Sequence, residues 1–326
     1  MASGRLEVLK RHLTNRNLSI KLCSTGSNLF TDKEFNYTLN HGRLSRSEKR
    51  FYESNGFIIK PDLFEEELLN SFSSRFIDLC EGRVPRGNIT LMKDISLAQK
   101  SATGQYLYNK AQDILYDDIF EKYFFHEKLL DIVECFTGPN IKAAHSMLIN
   151  KPPDSGALTS RHPLHQDLHY FPFRPADRIV AAWTALEDVT IDNGCLIVIP
   201  GSHKGQLLRH EYPKWEGGVN KAYHGIQDYN VSEVMPVIMK KGETIFFHPL
   251  LIHGSGPNNT MGFRKAISGH FAASECYYID VKGTTQENIA IEVEEMAKKK
   301  GAPPNIQFQE IWHLRGRLVR GEERTL

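Results

Sequence analysis

Six short segments between residues 141 and 272 have the pattern of β-strands, and they constrain the possible folds more than any other feature of the chain. They cover residues 141–149, 179–186, 195–199, 234–239, 244–247 and 264–272. Several alternate with a period of two, and turns rich in Gly, Pro, Asn and Asp separate them. Many short strands with such turns are typical of a β-sandwich or barrel. We therefore predict a mainly β core.

Helices are predicted on both sides of this core. Ser45 and Glu48 form a capping box that starts a helix ending near Gly56, and residues 57–59 follow as a short strand. Asp62 and Glu65 form a second capping pair before an apolar helical face over residues 68–79. Further helices are predicted over residues 111–136 and 285–299, the last leading to a basic tail.

Composition excludes several classes of protein. The formal net charge is +1, with no basic excess of the kind that nucleic-acid binders carry. No apolar run approaches the roughly 20 residues of a membrane span, so stable membrane insertion is not expected. The five cysteines are widely spaced and form no CxxC pair, which favours a reducing compartment over a disulfide framework.

The N-terminus resembles a targeting signal. Arg5 to Leu13 read Arg-Leu-Glu-Val-Leu-Lys-Arg-His-Leu, which is similar to the type-2 peroxisomal signal Arg/Lys-Leu-x5-His/Gln-Leu. On a helix, Leu6, Leu9 and Leu13 share one face, as a receptor groove requires. A short basic amphipathic helix, of mitochondrial or no particular function, is the alternative. We predict a targeting presequence and linker over residues 1–34, with processing near Cys23, and a single domain over residues 35–326.

The pair His165 and Asp167 is the first candidate for metal chemistry. Residues i and i+2 of a strand point to the same face, so both side chains can reach one ion. Imidazole and carboxylate together suit Fe(II). The ordinary alternative for a single His-x-Asp is that His165 forms a hydrogen bond with Asp167 or with a backbone carbonyl.

A third ligand must come from elsewhere, and His253 is the favoured candidate over His248. His162 is expected to face away from His165 on the strand. His169 would lie roughly 13 Å further along an extended chain. Two histidines and one carboxylate on one side of a metal leave sites open for a co-substrate and dioxygen.

Arg264 follows His253 by eleven residues. If His253 ends one strand and Arg264 starts the next, the guanidinium can enter the same barrel. Its planar pair of donors matches the distal carboxylate of 2-oxoglutarate, and the hydroxyl of Ser255 could add a donor. A surface ion pair is the alternative role for this arginine.

These residues lie in segments that resemble the phytanoyl-CoA dioxygenase family. The segments are residues 147–156, 160–174, 192–196, 200–205, 212–220, 246–256 and 262–265. The resemblance implies a double-stranded β-helix (a cupin-like jelly roll), and Fe(II) held by His165, Asp167 and His253. It also implies that five residues contact 2-oxoglutarate, namely Lys110, Met147, Trp183, Ser255 and Arg264. A tryptophan buried in the core is an equally open reading of Trp183.

The resemblance further implies an activity. A family member would hydroxylate C2 of a branched acyl-CoA, phytanoyl-CoA, while 2-oxoglutarate is oxidatively decarboxylated, with O2 as co-substrate and ascorbate as a further cofactor. The implied partners are the acyl-CoA substrate, the import receptor for the type-2 signal and a sterol carrier protein. In the long segment from His210 to Tyr229, Lys214 and Lys221 could meet phosphate charge. Two solvated lysines without such a role are the alternative.

Overall fold

A computed structural model of the chain describes residues 35–40, 43–216, 218–227 and 234–326. The predicted targeting segment, from Arg5 to Leu13, lies outside these residues, as does Cys23. The predicted presequence and its processing site therefore remain predictions.

Sixteen strands are numbered in chain order. They are β1 (Phe57–Lys60), β2 (Thr90–Lys93), β3 (Tyr108–Gln112), β4 (Ile141–Lys151), β5 (His162–His165), β6 (Phe173–Arg174), β7 (Ile179–Ala185), β8 (Leu196–Val198), β9 (His210–Glu211), β10 (Gly225–Ile226), β11 (Met235–Val237), β12 (Thr244–Phe247), β13 (His253–Ser255), β14 (Arg264–Ala273), β15 (Tyr277–Tyr278) and β16 (Arg317–Arg320). All the described pairings between them are antiparallel.

Seven α-helices accompany the strands in the described part of the chain. They are α1 (Arg46–Asn55), α2 (Glu66–Cys80), α3 (Ile95–Gln99), α4 (Glu121–Phe124), α5 (Glu127–Thr137), α6 (Glu287–Lys299) and α7 (Phe308–Arg315). Single 3₁₀ turns occur between them, among them Asp167–Tyr170. No helix in the described residues has the length and apolar character to cross a bilayer.

Two antiparallel sheets make up the core. The larger has eight strands in the order β1-β12-β7-β14-β4-β3-β2, with β16 also paired to β4. The smaller has the order β11-β8-β13-β5. A cavity of about 660 Å³ is lined by strands of both sheets, so it lies between them. Two sheets that enclose a cavity in this way form the predicted jelly roll.

Alternation along the strands separates a packed face from a cavity face. In β7, Val180 and Ala182 belong to a buried apolar cluster, whereas Trp183, the residue after Ala182, lines the cavity. In β14, Ile267 lies in that cluster and Ser268 lines the cavity. Helices α2 and α5 contribute to the same cluster. Burial of one face by helices therefore leaves the opposite face free to carry polar groups.

The six predicted strands are all present, with ends shifted by at most three residues. The capping box of Ser45 and Glu48 is also confirmed, and Gly56 ends that helix with a left-handed φ of 81°. The second capping pair is wrong: Glu65 precedes α2 without a side-chain hydrogen bond, and Asp62 has a φ of 57°.

The predicted helix over residues 111–136 is wrong in its first half. Ala111 lies in β3, which pairs with both β2 and β4, and Asp113 then takes a left-handed conformation with φ 62°. Only α4 and α5 are α-helical in this stretch. Hydrogen bonding to the distant strand β4 overrides local helix propensity here. The basic tail likewise forms α7 and β16, which adds a strand to β4.

Candidate metal centre

Three buried side chains converge where β5 and β13 pair. His165 and His253 are directly opposite each other in the register, and Asp167 follows in the 3₁₀ turn after β5. Asp167 Oδ1 lies 3.3 Å from His165 Nε2 and 3.6 Å from His253 Nε2. One ligand atom from each residue lies within 4.8 Å of the other two. The predicted triad can thus reach a single ion, although Asp167 does so from a turn and not from the strand itself.

Hydrogen bonds fix which atoms face the centre. The Nδ1 atoms of His165 and His253 each lie 2.9 Å from a backbone carbonyl oxygen, of Pro163 and Leu251 respectively. When Nδ1–H donates to a carbonyl, Nε2 keeps its lone pair for a metal. Both imidazoles therefore present their metal-binding nitrogen toward Asp167.

The protonation states also suit a metal. Burial and the neighbouring His165 lower the pKa of His253 to about 4, so this imidazole is neutral near pH 7. Burial alone would raise the pKa of Asp167, but His270 and His253 hold it well below its usual value. Two imidazoles and a carboxylate form the donor set that non-haem Fe(II) oxygenases use. The residues present therefore fit Fe(II).

The two competing histidines outside the cavity have other partners. His248 Nε2 lies 3.3 Å from Asp177 Oδ1, and His169 Nε2 lies 3.0 Å from His224 Nδ1. The described residues contain a single group of three metal-ligating side chains, and neither histidine belongs to it. Their buried positions are explained by these hydrogen bonds.

His162 departs from the prediction that it faces away from His165. A bulge in β5 sets His162 opposite Ser255 and His165 opposite His253, so four residues on one strand match three on the other. The two rings lie 4.2 Å apart, and both line the cavity. The bulge therefore brings His162 to the cavity wall, whereas regular alternation along β5 would point it to the other face.

Arg264 is the best candidate for a co-substrate ligand. It is buried, and its Nη2 donates to the carbonyl oxygen of Gly194 at 2.9 Å. Nε and Nη1 have no hydrogen-bond partner among the residues that the structure describes. Burial lowers the pKa of this guanidinium to about 10, so it remains charged at neutral pH. A buried cation with two free donors fits an incoming carboxylate.

The other four predicted contacts line the same cavity as Arg264, namely Lys110, Met147, Trp183 and Ser255. The Arg264 guanidinium lies 5.3 Å from the Trp183 ring centroid. Lys110 Nζ lies 4.8 Å from the ring centroid of Tyr223. Burial lowers the pKa of Lys110 to about 8, against a smaller opposing effect of Asp167. The structure brings all eight predicted site residues to one cavity, while their roles remain predictions.

Sequence reasoning did not identify two residues that support the site. His270 Nε2 lies 2.8 Å from Asp167 Oδ2, so it holds the carboxylate oxygen that the two ligand histidines do not face. Tyr223 lines the cavity from the long loop. His270 is six residues after Arg264 on one strand, and that even spacing could have placed both on the same face. No local signal pointed to Tyr223.

Solved structures share this architecture at low sequence identity. One is the epimerase SnoN in complex with Fe3+, alpha ketoglutarate and nogalamycin RO, with a TM-score of 0.55, 18% identity, and coverage of 72% of this chain and 85% of that chain. Another is EctD from S. alaskensis in its apoform, with a TM-score of 0.56, 17% identity, and coverage of 72% and 79%. Fold and triad together define the class of jelly-roll, non-haem iron and 2-oxoglutarate-dependent oxygenases.

Sequence comparison narrows the class to a family. Residues 52–266 match the family model of phytanoyl-CoA dioxygenase (PhyH). The chain is 48% identical to the peroxisomal phytanoyl-CoA dioxygenase of Homo sapiens, over 100% of this chain and 98% of that protein. It is 51% identical to a probable phytanoyl-CoA dioxygenase of Caenorhabditis elegans, over 89% and 97%. The chain belongs to the phytanoyl-CoA dioxygenase family.

Proposed function

We propose that this protein hydroxylates C2 of phytanoyl-CoA or a similar branched acyl-CoA, coupled to oxidative decarboxylation of 2-oxoglutarate. The observation that carries the proposal is a His-Asp-His triad in one cavity with a buried arginine, two of whose nitrogens have no partner among the residues that the structure describes. One oxygen atom of O2 enters succinate and the other becomes the hydroxyl at C2. The relatives named above are called phytanoyl-CoA dioxygenases.

In this proposal His165, Asp167 and His253 hold Fe(II), which supplies the site at which 2-oxoglutarate and O2 are activated. Asp167 stays ionised because buried histidines surround it, and His270 fixes the orientation of its carboxylate. Each ligand histidine is oriented by a backbone carbonyl. The chain thereby holds the donor set in place before any ligand arrives.

The distal carboxylate of 2-oxoglutarate binds the Arg264 guanidinium, on which Nε and Nη1 have no hydrogen-bond partner among the described residues. Ser255 and Lys110 offer further polar atoms in the cavity, and Trp183 and Met147 supply apolar walls. Such walls exclude water from the reacting carbon, and fixed positions for both substrates favour attack at C2 alone. O2 is a co-substrate in this scheme, and ascorbate maintains the reduced metal.

The proposal extends to the cellular location. The relatives in Homo sapiens, Mus musculus and Rattus norvegicus are named peroxisomal. The segment from Arg5 to Leu13 would be read by the import receptor for the type-2 signal. A sterol carrier protein is proposed as the partner that delivers the acyl-CoA.

The test is an assay of 2-oxoglutarate decarboxylation with Fe(II) and ascorbate, with and without phytanoyl-CoA, with product identified by mass spectrometry. We expect turnover that depends on both Fe(II) and the acyl-CoA, and a 2-hydroxyacyl product. A zinc hydrolase would not consume O2, and a ligand-binding family member without activity would show no turnover. Either result would reject the proposal.

The ligand assignment is tested by Asp167→Ala beside His248→Gln. Asp167→Ala should lose Fe(II) binding and turnover, because it removes the central carboxylate of the triad. His248→Gln should keep both, since His248 faces Asp177. Full turnover by Asp167→Ala, or loss of iron in His248→Gln with an unchanged melting temperature, would show that the ligands are assigned wrongly.

A further inference from the structure

A second, larger cavity of about 1730 Å³ opens beside α6, and we call it the outer cavity. Its wall is built from β2, α3, α6 and α7 together with the loop that contains Lys221. Its floor is apolar, formed by Leu91, Val293 and Ile311 among others. None of the triad residues lines it.

The rim of the outer cavity carries surplus positive charge. Lys93, Lys221, Lys299 and Lys300 line it with exposed side chains. In the described part of the chain, none of the four forms an ion pair, and Lys300 Nζ donates to Thr90 Oγ1 at 2.7 Å. A cluster of unpaired lysines over an apolar floor is suited to an amphiphile with an anionic head.

The two carboxylates that line this cavity do not neutralise the lysines. Asp113 forms an ion pair of 3.0 Å with Arg315. Asp94 is buried, and its oxygens accept hydrogen bonds from Ser96, Thr159 and Asn220. The lysine charge therefore remains available to a ligand.

A middle cavity of about 610 Å³ adjoins both the outer cavity and the metal cavity. Outer and middle cavities share four lining residues at a neck, namely Gln112, Val293, Met296 and Arg315. Middle and metal cavities share six, namely Lys110, Met147, His162, His165, Asp167 and His270. The three cavities therefore follow one another from the basic rim to the triad, and we take this order as the proposed substrate route.

The chemistry of an acyl-CoA matches this route. Its phosphates are separated from C2 of the acyl group by the long pantetheine arm, so a phosphate site must lie away from the metal and be joined to it by a passage. The neck offers donors for the amides of the arm, in Gln112 and Arg315, beside the apolar Val293 and Met296. We propose that the outer cavity binds the coenzyme A moiety, with its phosphates on Lys93, Lys221, Lys299 and Lys300. This inference rests on the proposed acyl-CoA substrate.

The rim is tested with the double variant Lys93→Glu/Lys299→Glu of the full chain, titrated calorimetrically with free coenzyme A. The dissociation constant should rise at least about tenfold, because charge-assisted contacts to phosphate are lost and repulsion is added. The KM for phytanoyl-CoA should rise similarly while the KM for 2-oxoglutarate stays unchanged. Lys122→Glu is the matched control, since Lys122 is exposed and lines none of the three cavities.

The neck is tested with Met296→Trp, which places a larger side chain between the outer and middle cavities. We expect kcat/KM for phytanoyl-CoA to fall at least about tenfold, since a narrowed passage excludes the arm or distorts it. The affinity for free coenzyme A should stay within about twofold, because the rim is intact. Met261→Trp is the control, at a position 89% exposed and outside all three cavities.

Failure of the two proposals can be told apart. If the rim variant, with an unchanged melting temperature, keeps the affinity for coenzyme A and the KM of the wild type, the outer cavity is not the coenzyme A site. If the wild type binds coenzyme A through these lysines but does not turn over 2-oxoglutarate with any acyl-CoA, the site stands and the proposed reaction fails.

Discussion

At the level of single residues, the main feature of the cavity is the buried Arg264 guanidinium, which forms only part of the hydrogen bonds that it can donate. Arg264 has one of its three guanidinium nitrogens bonded to protein, and the other two are free among the described residues. A buried cation without enough acceptors is costly, so a site of this kind gains stability when an anion arrives. In the proposed function, the same group would provide both affinity and selectivity for a dicarboxylate co-substrate.

Replacing Arg264 by lysine should raise the KM for 2-oxoglutarate by at least about tenfold, because lysine keeps the charge but lacks the planar pair of donors. Fe(II) affinity should change little, since Arg264 is not in the triad. Arg178→Lys provides the control, because Arg178 donates to the backbone carbonyls of Phe136 and Asp177 outside the cavity. An unchanged KM for 2-oxoglutarate in Arg264→Lys would show that the arginine does not bind the co-substrate in the proposed way.

Because of Lys110, the free energy of unfolding should depend on pH in the alkaline range. Burial lowers its pKa from 10.5 to about 8 in the folded protein. Between these values the unfolded chain binds more protons, so the free energy of unfolding rises with pH. We expect the free energy of unfolding of the metal-free wild type, measured with urea, to increase between pH 8 and pH 10. This increase should be about 2 kcal/mol larger than the corresponding change in Lys110→Met. Equal pH dependence in the two proteins would contradict a buried, proton-releasing Lys110.

At the level of elements, the triad depends on the pairing of two short strands. β13 lies between β8 and β5, so His253 is opposite both Val198 and His165. Gly194, in the turn before β8, supplies the carbonyl that holds Arg264. The smaller sheet thus positions two metal ligands and, through this turn, the guanidinium that faces them.

Gly194→Ala should damage both stability and co-substrate binding. Gly194 has a φ of 81°, and a Cβ there would lie 2.6 Å from the carbonyl oxygen of Gly256. Gly82→Ala isolates the backbone strain, because Gly82 has a φ of 70° and nothing within 4 Å of its Cβ position. We expect Gly82→Ala to cost about 1 kcal/mol in urea unfolding and Gly194→Ala clearly more.

Only Gly194→Ala should also raise the KM for 2-oxoglutarate, since its carbonyl must move with the turn. Equal losses of stability in the two alanine variants, with equal KM values, would show that the turn does not support Arg264.

At the scale of the whole molecule, helices and the long loop pack beside the jelly roll and form the walls of the outer cavity, which is the proposed entrance to the site. One apolar cluster joins α2 and α5 to the back of the larger sheet, and a second contains Val293 of α6 and Trp312 of α7. The second cluster places α6 and α7 beside the neck of the proposed substrate route. The packing of α6 and α7 therefore sets the separation between the rim lysines and the triad.

The targeting segment can be tested apart from catalysis. Leu6→Arg should abolish peroxisomal import of the full chain, seen by microscopy of a C-terminally tagged protein, because it removes a fixed apolar position of the signal. Turnover of the purified variant should be unchanged. Lys10→Arg lies at an unspecified position of the pattern and should import normally. Normal import of Leu6→Arg would mean that another segment carries the address.

Local patterns by themselves determined a large part of this protein. Period-two alternation identified the strands that carry Trp183 and Arg264, because the face of a residue in a strand depends only on its position in that strand. His165, Asp167 and His253 were predicted as metal ligands on a different ground, because the residue types and their order limit the possible chemistry. The resemblance to a family added three further predicted co-substrate contacts, namely Lys110, Met147 and Trp183.

Tertiary structure alone decided the rest, because it depends on pairing between residues far apart in the chain. Residues 108–112 form a strand since β4 offers hydrogen bonds more than thirty residues later. A bulge against β13 turns His162 into the cavity, and packing against β7 and β4 brings His270 to Asp167. The route from four surface lysines to the triad exists only once α6 and α7 have packed, so no local pattern could reveal it.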